Sequence, residues 1–140
     1  MDKLKQIMVV DDDPISSVIV KKLSELTGFA EEVVSFISAV DGLDYLQQVA
    51  DQKQEPPVLI FLDIRMPIVN GWDFLERFRK INQHDYFSNT SIYMLTSSSE
   101  QSDINKAKKY KMVTDYLVKP LSPETLSTIR QKHLQPAENL

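Results

Sequence analysis

The residues whose types could do chemistry together follow short apolar stretches of the sequence. Asp11 and Asp12 follow the stretch QIMVV, and Asp63 follows VLIFL. Thr96 and Lys119 come directly after two further apolar stretches, IYML and YLV. Short aliphatic runs of this kind predict buried strands. An ionised carboxylate at the end of a buried strand is costly unless a positive group lies close to it. The first question is therefore which positive group these acids face.

If the acids lie close together, their chemistry favours a metal ion and a phosphoryl group. Carboxylates repel each other at low local dielectric, and a hard divalent cation such as Mg²⁺ relieves that repulsion. Lys119 would add a positive charge, and Thr96 would add a hydroxyl donor. A carboxylate can also accept a phosphoryl group and form an acyl phosphate. The hypothesis is therefore that Asp63 faces a metal ion and receives a phosphoryl group.

The elements that must position these residues alternate between strand and helix five times along the chain. Apolar runs and helical periodicity predict strands at 6–10, 32–38 and 58–62, within 90–99 and within 114–120, and helices at 14–28, 41–52, 70–81, 100–111 and 122–134. This alternation predicts an α/β fold with a doubly wound, five-stranded parallel sheet and helices on both faces.

Helix starts and stops add local detail to this prediction. Asp13 before Pro14 is typical of an N-cap followed by proline at the first helical position, so we favour a cap over a third metal ligand for Asp13. Asp41 and Ser122 are predicted caps of the second and fifth helices, and Gly28 is a predicted helix end.

The parallel topology brings the polar residues together. In open parallel sheets, ligands bind outside the carboxyl ends of the strands. Four of the five predicted strands carry a charged or hydroxyl-bearing residue at that end, which scattered polar residues would not be expected to do. Asp11 and Asp12 could instead be solvated loop acids, but the acid that follows the third strand makes that the minor interpretation.

The bulk properties limit the class of protein. The chain has 140 residues, of which 42% are hydrophobic, and this suits one domain, predicted at 1–134 with a short tail at 135–140. A net charge of −4 argues against a nucleic-acid partner. The absence of cysteine excludes disulfides and thiolate metal sites. No apolar stretch approaches the length of a membrane span, so a cytoplasmic protein with no membrane partner is expected.

Four segments in order, IMVVDDDP, FLDIRMPIVNGWDFL, YMLTSSS and DYLVKP, resemble the receiver domains of two-component response regulators. The resemblance spans nearly the whole chain, and it implies the flavodoxin-like strand order 2-1-3-4-5. It also implies that Asp63 is the phosphoacceptor. Asp12 and Asp63 would bind Mg²⁺ directly with the main-chain carbonyl of Arg65, and Asp11 would act mainly through metal-bound water.

The same resemblance assigns the residues of a switch. Thr96 would donate a hydrogen bond to the phosphoryl group, and Lys119 would pair with it. Tyr116 would swing inward on activation, although a lone tyrosine is by default a packed aromatic. The Lys119–Pro120 peptide is expected to be cis. Arg65 and Ser98 occupy positions that the resemblance links to the rate of acyl-phosphate hydrolysis.

The resulting prediction is a single-domain phosphoacceptor that signals by binding other proteins and is not an enzyme acting on a separate substrate. A histidine kinase or a histidine phosphotransfer protein would be the phosphodonor. The target would bind the face made by the fourth helix, fifth strand and fifth helix.

Three alternatives have the same topology or a similar nucleophile: a phosphorylation-independent scaffold, a flavin-binding module and a haloacid-dehalogenase-type phosphatase. The intact acidic cluster disfavours the scaffold, no glycine- and hydroxyl-rich phosphate loop supports flavin, and Arg65 stands where the phosphatase needs a second acid.

Overall fold

Five parallel strands and five helices alternate along the chain, as the sequence predicts. The computed structural model describes residues 2–97 and 99–134, so Ser98 and the predicted tail at 135–140 lie outside the described residues. The strands are β1 (Leu4–Val10), β2 (Ala30–Phe36), β3 (Leu59–Leu62), β4 (Ser91–Thr96) and β5 (Val113–Val118). The helices are α1 (Pro14–Thr27), α2 (Ala39–Asp51), α3 (Gly71–Ile81), α4 (Gln101–Lys108) and α5 (Pro123–Leu134). Within the described ranges, none of these helices has both the length and the apolar character needed to span a bilayer.

The sheet has the strand order β2-β1-β3-β4-β5, with β1, β3 and β4 in the interior. This confirms the predicted doubly wound, flavodoxin-like α/β fold. Strand β3 is buried at every position, because helices cover both faces of the sheet. Its Ile60 and Leu62 pack in a core cluster with α2 and α3. Leu59 and Phe61 pack on the opposite face, in a second cluster that includes residues of α1 and α5.

The strand register fixes which residues meet at the carboxyl edge of the sheet. Val10 of β1 is the partner of Leu62 of β3, so the residues that follow them, Asp11 and Asp63, leave adjacent strands at the same level. On the other side of β3, Thr96 of β4 pairs with Val118, and Lys119 follows directly. The polar residues at these four strand ends are therefore brought to one edge by main-chain pairing alone.

The ends of the helices agree with the sequence at most positions, with one correction. The Asp13 side chain accepts a hydrogen bond from the Ile15 amide at 3.0 Å, and Gly28 ends α1 with φ 67°. The prediction that Asp41 caps α2 was wrong, because Ser38 accepts the hydrogen bond from the Asp41 amide at 3.0 Å. Ser38 has the extended backbone that an N-cap needs, and Asp41 lies in the first turn of the helix.

Helix α1 presents much of its apolar surface to solvent. The periodicity of its apolar residues correctly predicts a helix, but Ile15, Val18, Ile19 and Leu26 are exposed. The buried residues are Ser17, Val20 and Ser24. Ser24 can face the sheet because its hydroxyl accepts a hydrogen bond from the Ala30 amide at 3.1 Å. The exposed apolar residues of α1 thus remain available for contacts outside the domain.

Gly71 allows α3 to begin against the backbone that carries Asp63. A Cβ atom at Gly71 would lie 2.6 Å from the carbonyl oxygen of Asp63 and 2.8 Å from the Cα of Ile64. The Gly71 amide donates a hydrogen bond to the Ile64 carbonyl at 2.9 Å, which closes the loop between β3 and α3. The close approach involves main-chain atoms, so it cannot be relieved by rotation of a side chain.

We predict that Gly71→Ala lowers the free energy of unfolding by about 2 kcal/mol or more, since the methyl group must displace the backbone of Asp63 and Ile64. Gly42→Ala is the matched control, because its methyl group would meet the Met8 Cε and Val10 Cγ2 atoms at 3.2 Å, and side chains adjust more readily than backbone. Urea unfolding of the two variants measures the difference. A loss at Gly71 no larger than the loss at Gly42 would contradict this role.

Candidate functional site

Three carboxylates meet at the carboxyl edge of the sheet. Asp11, Asp12 and Asp63 each offer an oxygen, and these oxygens lie within 4.8 Å of one another. Asp11 and Asp63 are 1% and 6% exposed, whereas Asp12 is open to solvent. The Asp11 side chain also accepts a hydrogen bond from the Asp13 amide at 3.0 Å, which fixes its orientation. Two of the three acids are therefore held in place with little access to water.

Lys119 supplies positive charge to this cluster. Its Nζ lies 2.6 Å from an oxygen of Asp11 and 4.0 Å from an oxygen of Asp63. The Lys119 amide donates to the Thr96 carbonyl at 2.8 Å, so the main chain that carries the ammonium group is fixed to the end of β4. The peptide between Lys119 and Pro120 is cis, as predicted. A lysine with these contacts belongs to the acidic cluster and is not a free surface residue.

The surroundings of the Asp63 carboxylate destabilise its ionised form. The pKa of Asp63 is raised from the usual 3.8 to about 6, chiefly by burial and secondly by the negative charge of Asp11. The Lys119 ammonium group and the main-chain amide of Arg65 lower the pKa of Asp63, but they do not cancel the first two effects. The positive charge and the hydrogen-bond donor that the protein supplies therefore do not fully stabilise the ionised form of Asp63.

The three acids fit a small divalent cation by their chemistry and spacing. Oxygens bound to one Mg²⁺ at about 2.1 Å are at most roughly 4.2 Å apart, so a small inward movement of these side chains would suffice. Mg²⁺ usually keeps several waters and takes few carboxylates, and such a site needs an open side. The exposed Asp12 lies on such a side. The acidic cluster could therefore hold a metal ion.

The remaining predicted site residues lie around this cluster at different depths. Thr96 is fully buried at the end of β4. Tyr116 is partly buried and packs against the core cluster on the α2 and α3 face of the sheet, as a packed aromatic would. Arg65 contacts Asp63 through its main-chain amide, but its side chain extends to α4, where it pairs with Asp103 at 2.7 Å.

Sequence reasoning did not identify Gly71 or Asp103 as neighbours of the site. A sequence signal for Gly71 does exist in the segment VNG. There the glycine directly follows Asn70, which caps the helix, and the segment lies only a few residues after Asp63. For Asp103 there is no comparable signal, because it is one polar residue in a mostly polar helix.

Known proteins with similar sequences include a sensor histidine kinase and a protein of nearly the same length as this chain. Protein PilG of Pseudomonas aeruginosa is 33% identical over 134 residues, which cover 95% of this chain and 89% of PilG. The sensor histidine kinase CheAY of Helicobacter pylori is 26% identical over 129 residues, which cover 92% of this chain. The chain spans 15% of the length of that kinase, so the similarity concerns one part of it.

A similar solved structure has the same fold. The crystal structure of a two component response regulator from Cytophaga hutchinsonii superimposes with a TM-score of 0.85 and 26% sequence identity, over 95% of this chain and 98% of that one.

The family model described as the response regulator receiver domain matches residues 7–131, from β1 into α5. This match includes every residue of the acidic cluster together with Thr96 and Lys119, and receiver domains bind Mg²⁺ at such a cluster and act as signalling phosphoacceptors. The chain therefore belongs to the response regulator receiver family.

Proposed function

We propose that this receiver accepts a phosphoryl group on Asp63 from a phosphohistidine of a histidine kinase or histidine phosphotransfer protein. The observation that carries the proposal is the position of the Asp63 carboxylate, which is buried, flanked by Asp11 and Asp12 and 4.0 Å from Lys119. Such a carboxylate is oriented for attack and gains more from an added cation than a solvated one would.

Mg²⁺ is the proposed cofactor, and when bound it neutralises the negative charge of the carboxylates and of the phosphoryl oxygens. Asp12, Asp63 and the main-chain carbonyl of Arg65 would hold it directly. Asp11 would contribute mainly through bound water, which is consistent with its existing contact to Lys119 at 2.6 Å.

In the transfer step, a carboxylate oxygen of Asp63 attacks phosphorus as the bond between phosphorus and the donor nitrogen breaks. The electron pair of that bond returns to the histidine ring, and the product is an acyl phosphate. Lys119 can turn from Asp11 towards the new phosphoryl group, because its Nζ lies between the two carboxylates. The Thr96 hydroxyl would donate a hydrogen bond to a phosphoryl oxygen.

The switch would run from Thr96 to the surface that binds a target protein. Movement of Thr96 towards the phosphoryl group would open space for Tyr116, which now lies partly buried on β5. Only a contact that differs between the two states can shift the population, and the bond from Thr96 to the phosphoryl group is such a contact. The proposed target surface is the face formed by α4, β5 and α5.

A protein phosphodonor must bind close to Asp63, and exposed apolar residues beside the site support this. Ile19 lines a groove between α1 and the segment after β5, together with Lys119 and Pro120. Ile15 is exposed at the start of α1, and Ile68 in the loop after Asp63 is almost completely exposed. Apolar groups that surround a buried acceptor are expected to be covered when a donor docks.

The two rival functions have less support. A phosphatase of the haloacid-dehalogenase type needs an acid at the position of Arg65, and the Arg65 side chain is held at Asp103. A phosphorylation-independent scaffold would gain nothing from a buried acid with a raised pKa beside Lys119.

We predict that the protein incubated with Mg²⁺ and acetyl phosphate gains the mass of one phosphoryl group. The modification should be removed by hydroxylamine, since an acyl phosphate is labile to it and a phosphoserine is not. Chelation of the metal should prevent the reaction, because the uncompensated cluster would repel the incoming dianion.

Asp63→Asn should gain no mass under the same conditions, since an amide is a poor nucleophile. Ser97→Ala is the control for modification of a nearby hydroxyl and should react normally. A folded wild-type protein that shows no metal-dependent mass increase with several small donors would overturn the proposed function and favour the scaffold.

We further predict that Ile19→Glu slows phosphotransfer from a protein donor by about tenfold or more, because a charge is placed in the apolar groove. The donor would be taken from a phosphotransfer screen of purified histidine kinases and phosphotransfer proteins. The rate with acetyl phosphate should not change. Leu26→Glu, seven residues further along α1 and also exposed, is the matched control and should transfer at the wild-type rate. Equal rates for the two variants with the protein donor would exclude docking at this groove.

A further inference from the structure

Arg65 connects the acceptor loop to α4 through two different groups. Its main-chain amide faces the Asp63 carboxylate and lowers the pKa of that acid. Its guanidinium group donates to a carboxylate oxygen of Asp103 at 2.7 Å. The same residue therefore contacts the acceptor with its backbone and the fourth helix with its side chain.

Asp103 is an important point of attachment for α4. It lies in the first turn of the helix, and the buried residues of α4 are Asp103 and Ala107. The Asp103 side chain is 12% exposed, and a carboxylate at that depth is costly without a cationic or hydrogen-bonding partner. Loss of the Arg65 contact would thus remove the cationic partner of Asp103, one of the contacts that attach the first turn of α4 to the rest of the domain.

Arg65 itself is free to change partner. Its side chain is 60% exposed, so movement would break few packing contacts. It begins two residues after Asp63, and its planar group of donors matches the oxygens of a phosphoryl group. A phosphoryl group carries nearly two negative charges, whereas Asp103 offers one.

We propose that Arg65 exchanges Asp103 for the phosphoryl group on Asp63, and that this exchange loosens the first turn of α4. The inference rests on the proposed function, because it requires a phosphoryl group at Asp63. It adds a second connection from the acceptor to α4, separate from the path through Thr96 and Tyr116.

The exchange has a thermodynamic consequence that can be measured. If binding of a phosphoryl group breaks the Arg65–Asp103 pair, that pair must oppose the binding by the same free energy. Neutralising Asp103 should then make the site bind a phosphoryl group more tightly. The effect must pass through Arg65, so it should disappear when Arg65 cannot pair with the phosphoryl group.

The test measures the dissociation constant of beryllofluoride, a mimic of the phosphoryl group, in the presence of Mg²⁺ by NMR titration. Asp103→Asn, which keeps the shape of the side chain, should bind beryllofluoride about fivefold more tightly than wild type. Asp44→Asn is the matched control, because it removes the same charge from an exposed position on α2, and it should bind as wild type does. In an Arg65→Gln background, Asp103→Asn should have no further effect.

Amide hydrogen exchange supplies an independent readout that needs no Asp103 variant. In wild type, beryllofluoride should speed exchange at the amides of residues 103–107. In Arg65→Gln, these amides should exchange faster even without beryllofluoride, and its addition should change them little.

The outcomes separate the two proposals. If wild type neither binds beryllofluoride nor accepts a phosphoryl group, the proposed function fails and the exchange fails with it. If wild type binds beryllofluoride but Asp103→Asn binds it no more tightly than Asp44→Asn does, the exchange alone is wrong. The same conclusion follows if Asp103→Asn still tightens binding in the Arg65→Gln background.

Discussion

Negative charge held in a confined space is the constraint on which the rest of this structure depends. The buried carboxylates of Asp11 and Asp63 meet the exposed Asp12 within 4.8 Å, and the Lys119 ammonium group lies 2.6 Å from Asp11. That ammonium group does not fully compensate Asp63, whose pKa remains raised to about 6. A bound cation would therefore stabilise the ionised form of Asp63, and under the proposed function that cation is Mg²⁺, which in turn attracts a phosphoryl group.

The fold maintains this arrangement through main-chain contacts. Pairing of Val10 with Leu62 brings Asp11 and Asp63 out of the sheet side by side. The hydrogen bond from the Lys119 amide to the Thr96 carbonyl fixes the other side of the site. Gly71 lets α3 begin in contact with the backbone of Asp63. Because the acids are positioned by the sheet and by these backbone contacts, the charged groups can change partners while the frame stays in place.

Much of the fold and the composition of the site could be predicted from the sequence, because short-range patterns specify them. The aliphatic run before Asp63 predicts a buried strand, and the strand–helix alternation predicts a parallel sheet whose carboxyl edge collects the polar residues. The cap of α2 was assigned to Asp41 and belongs to Ser38, since several residues near a helix start can serve and only backbone geometry selects one. The exposure of the apolar residues of α1 could not be predicted, because periodicity defines a helical face but not the direction in which it points. The pairing of Arg65 with Asp103 joins residues 38 positions apart and left no trace in the local pattern.

The central claim is that burial and the neighbouring negative charge of Asp11 disfavour the ionised form of Asp63 until a cation binds, and the pKa of Asp63 tests it most directly. Measured by the pH dependence of the carboxyl carbon resonance in metal-free protein, this pKa should be near 6. A raised pKa means that the ionised form of Asp63 is disfavoured, and Mg²⁺, which binds the ionised form, should lower this pKa. Asp11→Asn should lower the pKa of Asp63 without metal, because it removes a neighbouring negative charge. A pKa near 3.8 that is the same with and without Mg²⁺ would contradict the account.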